Sequence, residues 1–460
     1  MDRERAASGP AEGLRVAVVG SGPAGFYAAD LLLRAGAQVD VFERLPAPFG
    51  LVRYGVAPDH QNIKRAALAF ERTAEHPGFR YFGNVTVGQA VSVDELLLDY
   101  DQVLVAIGSA GDRKLGIPGE DLEGSVAATA FVGWYNGHPD FVAERFPLDA
   151  ERVVVVGMGN VALDVARVLV RRPAELATTD ITAAALDALS QSRVREVVLL
   201  GRRGPAQAAF DQGELADIAG LDGVEVVVEG DVPEPHAELT AAARRNLEYL
   251  ATLPRAPSGR AERLVRLRFF ALPRRVLGVE GRVSGVEIER SALVVQPDGS
   301  LSAQPTGEVE TLSCGLLIRS IGYRGTPVGG LPFDAARGVI PNDRGRVGTP
   351  GERVPRCYVA GWIKRGPVGL LGSNKQDARE TVEAMLADRG EALASRSARR
   401  PGRVLELLAE RGIRWVSYRE WACIDRKERA AGEKLGKVRE KFCTVRSMLL
   451  AIDESSSGSQ

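Results

Sequence analysis

The sequence predicts an α/β fold made of two doubly wound parallel-sheet units, one inserted into the other. Three observations predict it. A strand, a glycine turn and a helix follow one another at 14–35 and again at 152–171. Each continues into a further β-branched run, which completes a βαβ unit. Three more apolar runs end in glycine, at 102–108, 314–322 and 356–361, as buried parallel strands of such units do.

Taken in order, Leu14 to Val19 is a short run suited to a strand buried on both faces. Gly20-Ser21-Gly22-Pro23-Ala24-Gly25 follows, then Phe26 to Ala35, apolar all round, reads as a buried helix. After Gly36, Ala37 to Glu43 reads as the second strand, and Gln102 to Gly108 as another. The second unit opens with Arg152 to Val156, the turn Gly157-Met158-Gly159-Asn160-Val161-Ala162 and a helix over 161–171. An extra helix, Ile181 to Ser190, precedes the strand Glu196 to Leu200 and Gly201-Arg202-Arg203. Residues 230–275 differ: Arg244, Arg245, Arg255, Arg260, Arg263, Arg266, Arg268, Arg274 and Arg275 crowd a stretch sparse in acids. Residues 402–452 read as short helices of mixed charge, and Glu454 to Gln460 as an unstructured tail. These boundaries predict a first domain of about 1–108 and 326–460, with a second, about 109–325, inserted into it.

Composition narrows the function classes. The chain has 460 residues, 26% charged and 45% hydrophobic, with a net charge of -1. That is a globular composition. Its charge balance disfavours a general nucleic-acid or membrane-surface binder, although a local basic face is compatible with it. Cys314, Cys357, Cys423 and Cys443 include no CxxC spacing, against a dithiol redox centre, a zinc ribbon or a cysteine-ligated cluster. They read as buried thiols in a reducing compartment. The four histidines are scattered, with no HExxH pair, so no metal site is expected. No apolar run reaches the roughly 18 residues of a membrane span, and the N-terminus lacks a signal core. A cytoplasmic enzyme is the expectation.

The chemistry lies in the two turns. Gly20-x-Gly22-x-x-Gly25 sits between strand and helix, the context of a dinucleotide-binding fingerprint. Gly20 permits the tight turn, Gly22 lets backbone approach a pyrophosphate, and Gly25 lets helix and strand pack closely. The helix N-terminus offers free N–H groups to phosphate, and Glu43 suits a ribose diol. Gly157-x-Gly159-x-x-Ala162 is the alanine variant, and its second strand ends in Arg202 and Arg203 in place of an acid. Two guanidinium groups there suit the 2′-phosphate of NADP. The economical pairing is FAD in the first Rossmann-like site and NADPH in the second, with hydride passing between them.

These residues, together with PFGLVRYGVAPDH (Pro48 to His60), FGNVTVG (Phe82 to Gly88), IPGEDLEGS (Ile117 to Ser125), FVGWYNGHP (Phe131 to Pro139), GNVALDVAR (Gly159 to Arg167), GRRGPAQAAF (Gly201 to Phe210) and GWIKRGPVGLLGSNK (Gly361 to Lys375), resemble adrenodoxin reductase and the bacterial ferredoxin–NADP reductases similar to it. The resemblance runs from about residue 14 to 450. It implies a glutathione-reductase-like flavoprotein with a discontinuous FAD domain and an inserted NADP domain. It implies FAD contacts at Ala24, Glu43, Leu51, Val87, Trp362 and Gly369-Leu370-Leu371, and NADP contacts at Arg113, Met158, Gly159, Asn160, Val161, Arg202, Arg203, Glu214 and Gly369. His60 and Glu214 are implied polar groups beside the redox centre, and Gly369 leaves room for nicotinamide against flavin. Phe49 stands where the family commonly has Trp, and Leu370 and Leu371 where Val and Ile are usual; these apolar swaps leave cofactor binding intact. Asp211-Gln212-Gly213 replaces a common Thr and Leu before Glu214, which predicts a looser loop there.

The implied activity is that of a ferredoxin–NADP(+) reductase. NADPH gives hydride to FAD, and electrons leave singly to a ferredoxin-type iron–sulfur protein, with a cytochrome P450 as one downstream acceptor. The arginines of 244–275 would form the basic docking face for that acidic partner, and a monomer is expected. A different NADPH-dependent flavoprotein oxidoreductase and a flavin/NADP redox sensor without turnover are the alternatives. A disulfide reductase lacks its paired cysteines here, and a glutamate-synthase-type subunit lacks its cluster cysteines.

Overall fold

Five parallel strands form the centre of the first unit, in the order Glu352–Val359, Gln102–Val105, Arg15–Val19, Gln38–Phe42, Phe79–Phe82. The computed structural model describes residues 9–369 and 371–457; this unit takes the described parts of 1–56, 60–111 and 323–460. Alternate side chains leave the sheet on opposite faces, as the pleat dictates. Val16, Val18, Val39 and Val41 meet a core with Phe26, Leu32 and Met385 from the helices Pro23–Arg34 and Leu371–Ala387. Ala17, Val19 and Phe42 meet Phe82, Leu96, Tyr100 and Ile363 on the other face.

The C-terminal part of the chain belongs to this unit through pairings that no local pattern announces. Strand Glu352–Val359 lies beside Gln102–Val105, with Tyr358 opposite Leu104. The Asp99 carboxylate accepts from the Gly402 and Val404 amides at 3.0 and 3.1 Å. Arg53 and Glu428, both buried, form a two-bond fork at 2.9 and 2.6 Å, with the Arg53 guanidinium about 5 Å from the Tyr54 and Trp421 ring centres. Removing one member of such a pair leaves a buried charge uncompensated, a loss of about 3–5 kcal/mol.

The second unit, residues 57–59 and 112–322, holds six parallel strands in the order Ser125–Ala127, Leu316–Arg319, Arg152–Val156, Glu196–Leu200, Arg263–Arg268, Val224–Glu229. Helix Asn160–Val170 covers one face through Leu163, Val165 and Leu169. The other face is covered by a three-stranded antiparallel sheet, Ala271–Val279, Arg282–Val295 and Leu301–Ser313, through Val276, Val286 and Ile288.

That antiparallel sheet and the strand before it change the meaning of the arginine-rich stretch. In Arg263–Arg268, Val265 and Leu267 are buried while Arg266 and Arg268 lie on the alternate positions. Arg266 pairs with Glu196 and Glu229, Arg268 with Glu229 and Glu310, Arg274 with Glu289, and Arg275 with Glu287. Arg263 donates to the Val170 and Arg171 carbonyls. The acids that look sparse in the sequence arrive from neighbouring strands. Arg255 turns its guanidinium onto the Leu250 and Leu253 carbonyls at 3.0 and 3.2 Å, so the stretch supplies Arg244, Arg245 and Arg260 as exposed cations whose side chains have no partner among the described residues, in place of nine.

Two further differences concern the ends and the thiols. Helix Val445–Ser457 takes in Glu454 to Ser457, which the sequence assigned to an unstructured tail, and Lys427 binds its Ala451 carbonyl and Glu454 carboxylate at 2.7 and 3.0 Å. Residues 458–460 lie outside the described residues. Cys314 and Cys357 are buried, and burial pushes both thiols up to about 12; Cys423 and Cys443 are half-buried. Since the thiolate is the nucleophile, neither Cys314 nor Cys357 is expected to react with a maleimide at pH 8 until the chain is unfolded. Peptide mapping after native labelling checks this, and modification of either cysteine in the folded protein would contradict it. No helix among the described residues is long and apolar enough to cross a membrane.

Candidate functional site

The first fingerprint closes at the C-terminal edge of the first sheet. The Gly20 amide bonds to the Phe42 carbonyl at 2.8 Å, so the turn and the residue after the second strand, Glu43, come together. A Cβ on Gly20, where φ is +103°, would stand 2.5 Å from the Ala106 oxygen, and one on Gly25 would stand 2.1 Å from the Gly20 oxygen. Gly22 is different. A Cβ there would meet no atom of the chain within 4 Å, and φ is an ordinary -76°. Packing inside the protein therefore demands the outer two glycines, whereas the middle one borders open space at the N-terminus of helix Pro23–Arg34. That is the arrangement a pyrophosphate needs.

Glu43 does more than end the strand. Its Oε2 accepts from the Ser21 amide at 3.0 Å and the Ser21 hydroxyl at 2.7 Å, and its Oε1 from the Leu45 amide at 3.2 Å. The acid is thereby fixed against the turn, and Ser21 is a site residue that the fingerprint pattern alone does not flag. The Phe49 amide donates to the Ser21 carbonyl at 3.0 Å, which lays Gly50 and Leu51 against Gly22. A Cβ on Gly50 would stand 3.0 Å from the Gly22 Cα. The Phe49 ring packs with Phe26, Phe70 and Trp421. The Val85 amide bonds to the Glu43 carbonyl at 2.8 Å, bringing the segment that carries half-buried Val87 along the same edge.

From the far end of the chain, Gly361 enters this site at φ +80°, where a Cβ would be 2.7 Å from the Ala24 Cβ. Ala24 and Trp362 are thus neighbours in space. Gly361 donates its amide to Asp377, which also holds Lys364 and Arg365. Trp362 packs on Tyr323 with ring centres 5.4 Å apart, and its buried indole Nε1 has no hydrogen-bond partner among the described residues. A buried N–H without a partner costs about 1–3 kcal/mol, so a ligand acceptor would fit there. Gly369 is exposed with φ +87°, next to Ser373, and Leu371 starts helix Leu371–Ala387 half-buried on the core. Leu370 lies outside the described residues. His60 is half-buried just before the short helix Gln61–Lys64.

The second fingerprint repeats this division of labour. A Cβ on Gly157, at φ +141°, would stand 2.1 Å from the Ser320 oxygen, whereas one on Gly159 would meet nothing within 4 Å. Met158, Gly159, Asn160 and Val161 are half-buried around the N-terminus of helix Asn160–Val170. The Gly157 amide bonds to the Leu200 carbonyl at 2.9 Å, which brings the turn beside Gly201-Arg202-Arg203. Ser291 donates to the Arg202 carbonyl at 2.6 Å and Phe270 to the Arg203 carbonyl at 3.1 Å. The antiparallel sheet thus fixes the backbone of the arginine pair, and neither guanidinium has an acidic partner among the described residues. Arg113 is exposed, its amide bonded to the Gly322 carbonyl at 3.3 Å.

Asp211 settles the surroundings of Glu214. Its carboxylate caps helix Gln212–Ala219 by accepting from the Gly213 amide at 3.0 Å, while its own amide donates to Asn160 Oδ1 at 2.7 Å. Glu214 therefore sits in the first turn of a capped helix tied to the fingerprint, not on the loosened loop expected from the departure at 211–213. A capping aspartate supplies that order as well as a threonine would. Glu214 Oε2 accepts from Arg167 at 3.1 Å. Arg167 and its partner Asp59 lie inside motifs read from the sequence, yet nothing in their spacing, 108 residues apart, announces the contact.

A family model described as pyridine nucleotide-disulphide oxidoreductase matches residues 14–212; all four cysteines fall outside that stretch. The chain is 45% identical over 453 residues to "NADPH-ferredoxin reductase FprA" of Mycobacterium tuberculosis, covering 94% of this chain and 98% of that protein. It is 41% identical over 459 residues to the mitochondrial "NADPH:adrenodoxin oxidoreductase" of Arabidopsis thaliana, covering 95% of each. The solved structure of Mycobacterium tuberculosis FprA in complex with NADPH superposes with a TM-score of 0.91 at 44% identity, over 95% of this chain and 99% of that one. Two dinucleotide turns of the kinds described, in a chain alike over nearly its full length to these reductases, place it plainly: the chain belongs to the adrenodoxin-reductase family of NADPH–ferredoxin reductases.

Proposed function

We propose that the chain is an FAD-dependent NADPH–ferredoxin reductase, with FAD on the unit formed by about 1–108 and 326–460 and NADPH on the unit of about 109–325. The observation that carries this is the contrast between the two turns. Beside one stands a carboxylate, Glu43, which suits a ribose diol, and beside the other stand two cations without acidic partners among the described residues, Arg202 and Arg203, which suit a 2′-phosphate. The relative in Mycobacterium tuberculosis carries the same activity in its name.

In this reading Gly22 and the N–H groups after it take the FAD pyrophosphate. Glu43, Leu51, Val87, Ala24, Trp362 and the 369–371 segment bound the rest of the cofactor, with Trp362 Nε1 as a donor toward it. Arg202 and Arg203 grip NADPH by its 2′-phosphate, the Met158–Val161 turn takes its pyrophosphate with Arg113 beside it, and Glu214 lies on its nicotinamide side. FAD, when bound, accepts hydride from NADPH and releases electrons singly, chemistry that no side chain supplies. His60 would help supply the proton that follows the hydride when the flavin gives up its electrons. Exposed Arg244, Arg245 and Arg260 form the basic face that steers an acidic ferredoxin. We also read the protein as a cytoplasmic monomer, its four cysteines staying free as a reducing compartment keeps them.

The test is anaerobic mixing of the purified yellow protein with NADPH. With one equivalent of NADPH the flavin absorbance bleaches, and two or more equivalents of oxidised ferredoxin, each taking one electron, restore it. A flavin that stays oxidised in excess NADPH would sink the reductase reading in favour of a non-turnover sensor.

A further inference from the structure

We propose that Arg167 is a positioning residue for the NADPH half-reaction, acting through Glu214; the proposal rests on the reading of Glu214 as a nicotinamide-side contact. Arg167 lies on helix Asn160–Val170, whose N-terminus carries the second fingerprint, and its side chain is 1% exposed. One guanidinium serves three carboxylates there. Nε and Nη2 take Asp59 in a fork at 2.7 and 3.1 Å, Nη2 also reaches Asp164 at 2.6 Å, and Nη1 donates to Glu214 Oε2 at 3.1 Å. Arg171 adds a second cation on Asp59 at 2.6 Å and is itself held by Glu175 at 2.9 Å.

Three carboxylates around a single guanidinium fix its orientation, because its donors lie in one rigid plane. Anchoring the Nε–Nη2 edge on Asp59 and Nη2 on Asp164 fixes the guanidinium plane and so both N–H directions of Nη1, one of which ends on Glu214. The same cation screens the three acids from one another, and without it they repel. Asp59 comes from a distant part of the chain, so the fork also ties residues 57–59 to the helix bearing the fingerprint. A reacting group misplaced by about 1 Å can slow a reaction by about a hundredfold, which is the scale on which such a fork acts.

The test is a double-mutant cycle on the FAD-loaded protein, reading single-turnover flavin reduction by NADPH in Arg167→Lys, Glu214→Gln and the double variant. Lysine keeps the charge and loses the planar fork. Arg167→Lys is expected to slow reduction by about tenfold or more. The NADPH dissociation constant should move less than about threefold, because the grip on the 2′-phosphate is untouched. The double variant should be no slower than Glu214→Gln alone. Multiplying effects, a loss confined to NADPH affinity, or a Glu214→Gln protein as fast as the parent would each overturn the proposal. If Arg167→Lys does not accumulate as a folded flavoprotein, Asp59→Asn, which releases the fork from its other side, takes its place in the same cycle with the same two readings. Failure of the parent protein to bleach at all strikes the proposed function itself, and is seen before any variant is made.

Discussion

Replacing Arg202 and Arg203 together by alanine raises the Michaelis constant for NADPH by about a hundredfold and leaves that for NADH nearly unchanged. Each guanidinium removes a hydrogen bond to a doubly charged group, worth about 1.5–3 kcal/mol, and each 1.4 kcal/mol is about a factor of ten. Two at the low end give the stated effect. The fold should not register the change, because the strand end is held by backbone: the Ser291 hydroxyl on the Arg202 carbonyl and the Phe270 amide on the Arg203 carbonyl. Steady-state kinetics with both nucleotides checks it. Equal losses for NADPH and NADH would mean that the arginines support the site without reading the phosphate.

Gly22→Ala and Gly25→Ala, three residues apart, are expected to fail in different ways. At Gly25 the new Cβ meets the Gly20 carbonyl oxygen at 2.1 Å, a contact with backbone that only a shift of helix against strand relieves. That variant loses several kcal/mol of stability, on the order of other overpacked positions, and its flavin with it. At Gly22 the backbone is extended and the Cβ would meet no atom of the chain within 4 Å, so the melting temperature of the flavin-free protein stays where it was. Flavin retention falls by about tenfold or more, since the methyl group occupies the space where backbone approaches the pyrophosphate. Melting temperature and FAD retention after gel filtration, measured on both variants, separate the two. A Gly22→Ala protein that keeps FAD as tightly as the parent would remove the pyrophosphate from that turn.

Both fingerprints were legible because everything they need is local. A strand, a turn with glycine at set places and a helix N-terminus are specified within about a dozen residues, and the observed elements, Arg15–Val19 with Pro23–Arg34 and Arg152–Val156 with Asn160–Val170, start within two residues of the expected ones or nearer, apart from the helix after Gly25, which begins at Pro23. The acid in one strand end and the arginines in the other were equally readable, since the residue after a second strand stands beside the turn in any such unit. The antiparallel sheet at 271–313 went unread: its strands carry charged residues on the exposed positions, and what marks them as strands is the face they bury against Val154, Val198 and Leu200.

What the sequence by itself determined is therefore the pair of dinucleotide turns, the acid that ends one second strand and the arginines that end the other, and the family. The tertiary structure decided which charges are available. Arg266, Arg268, Arg274 and Arg275 look free in sequence and are matched by glutamates on adjacent strands, whereas Arg202 and Arg203, no different in composition, have no acidic partner among the described residues. It also decided which glycines serve packing and which border open space, and it joined Arg167 to Asp59 across 108 residues. The physical reason is the same in each case. Backbone geometry at a turn is set by neighbours in the chain, but electrostatic compensation and close approach are set by neighbours in space, and strand register alone brings those together.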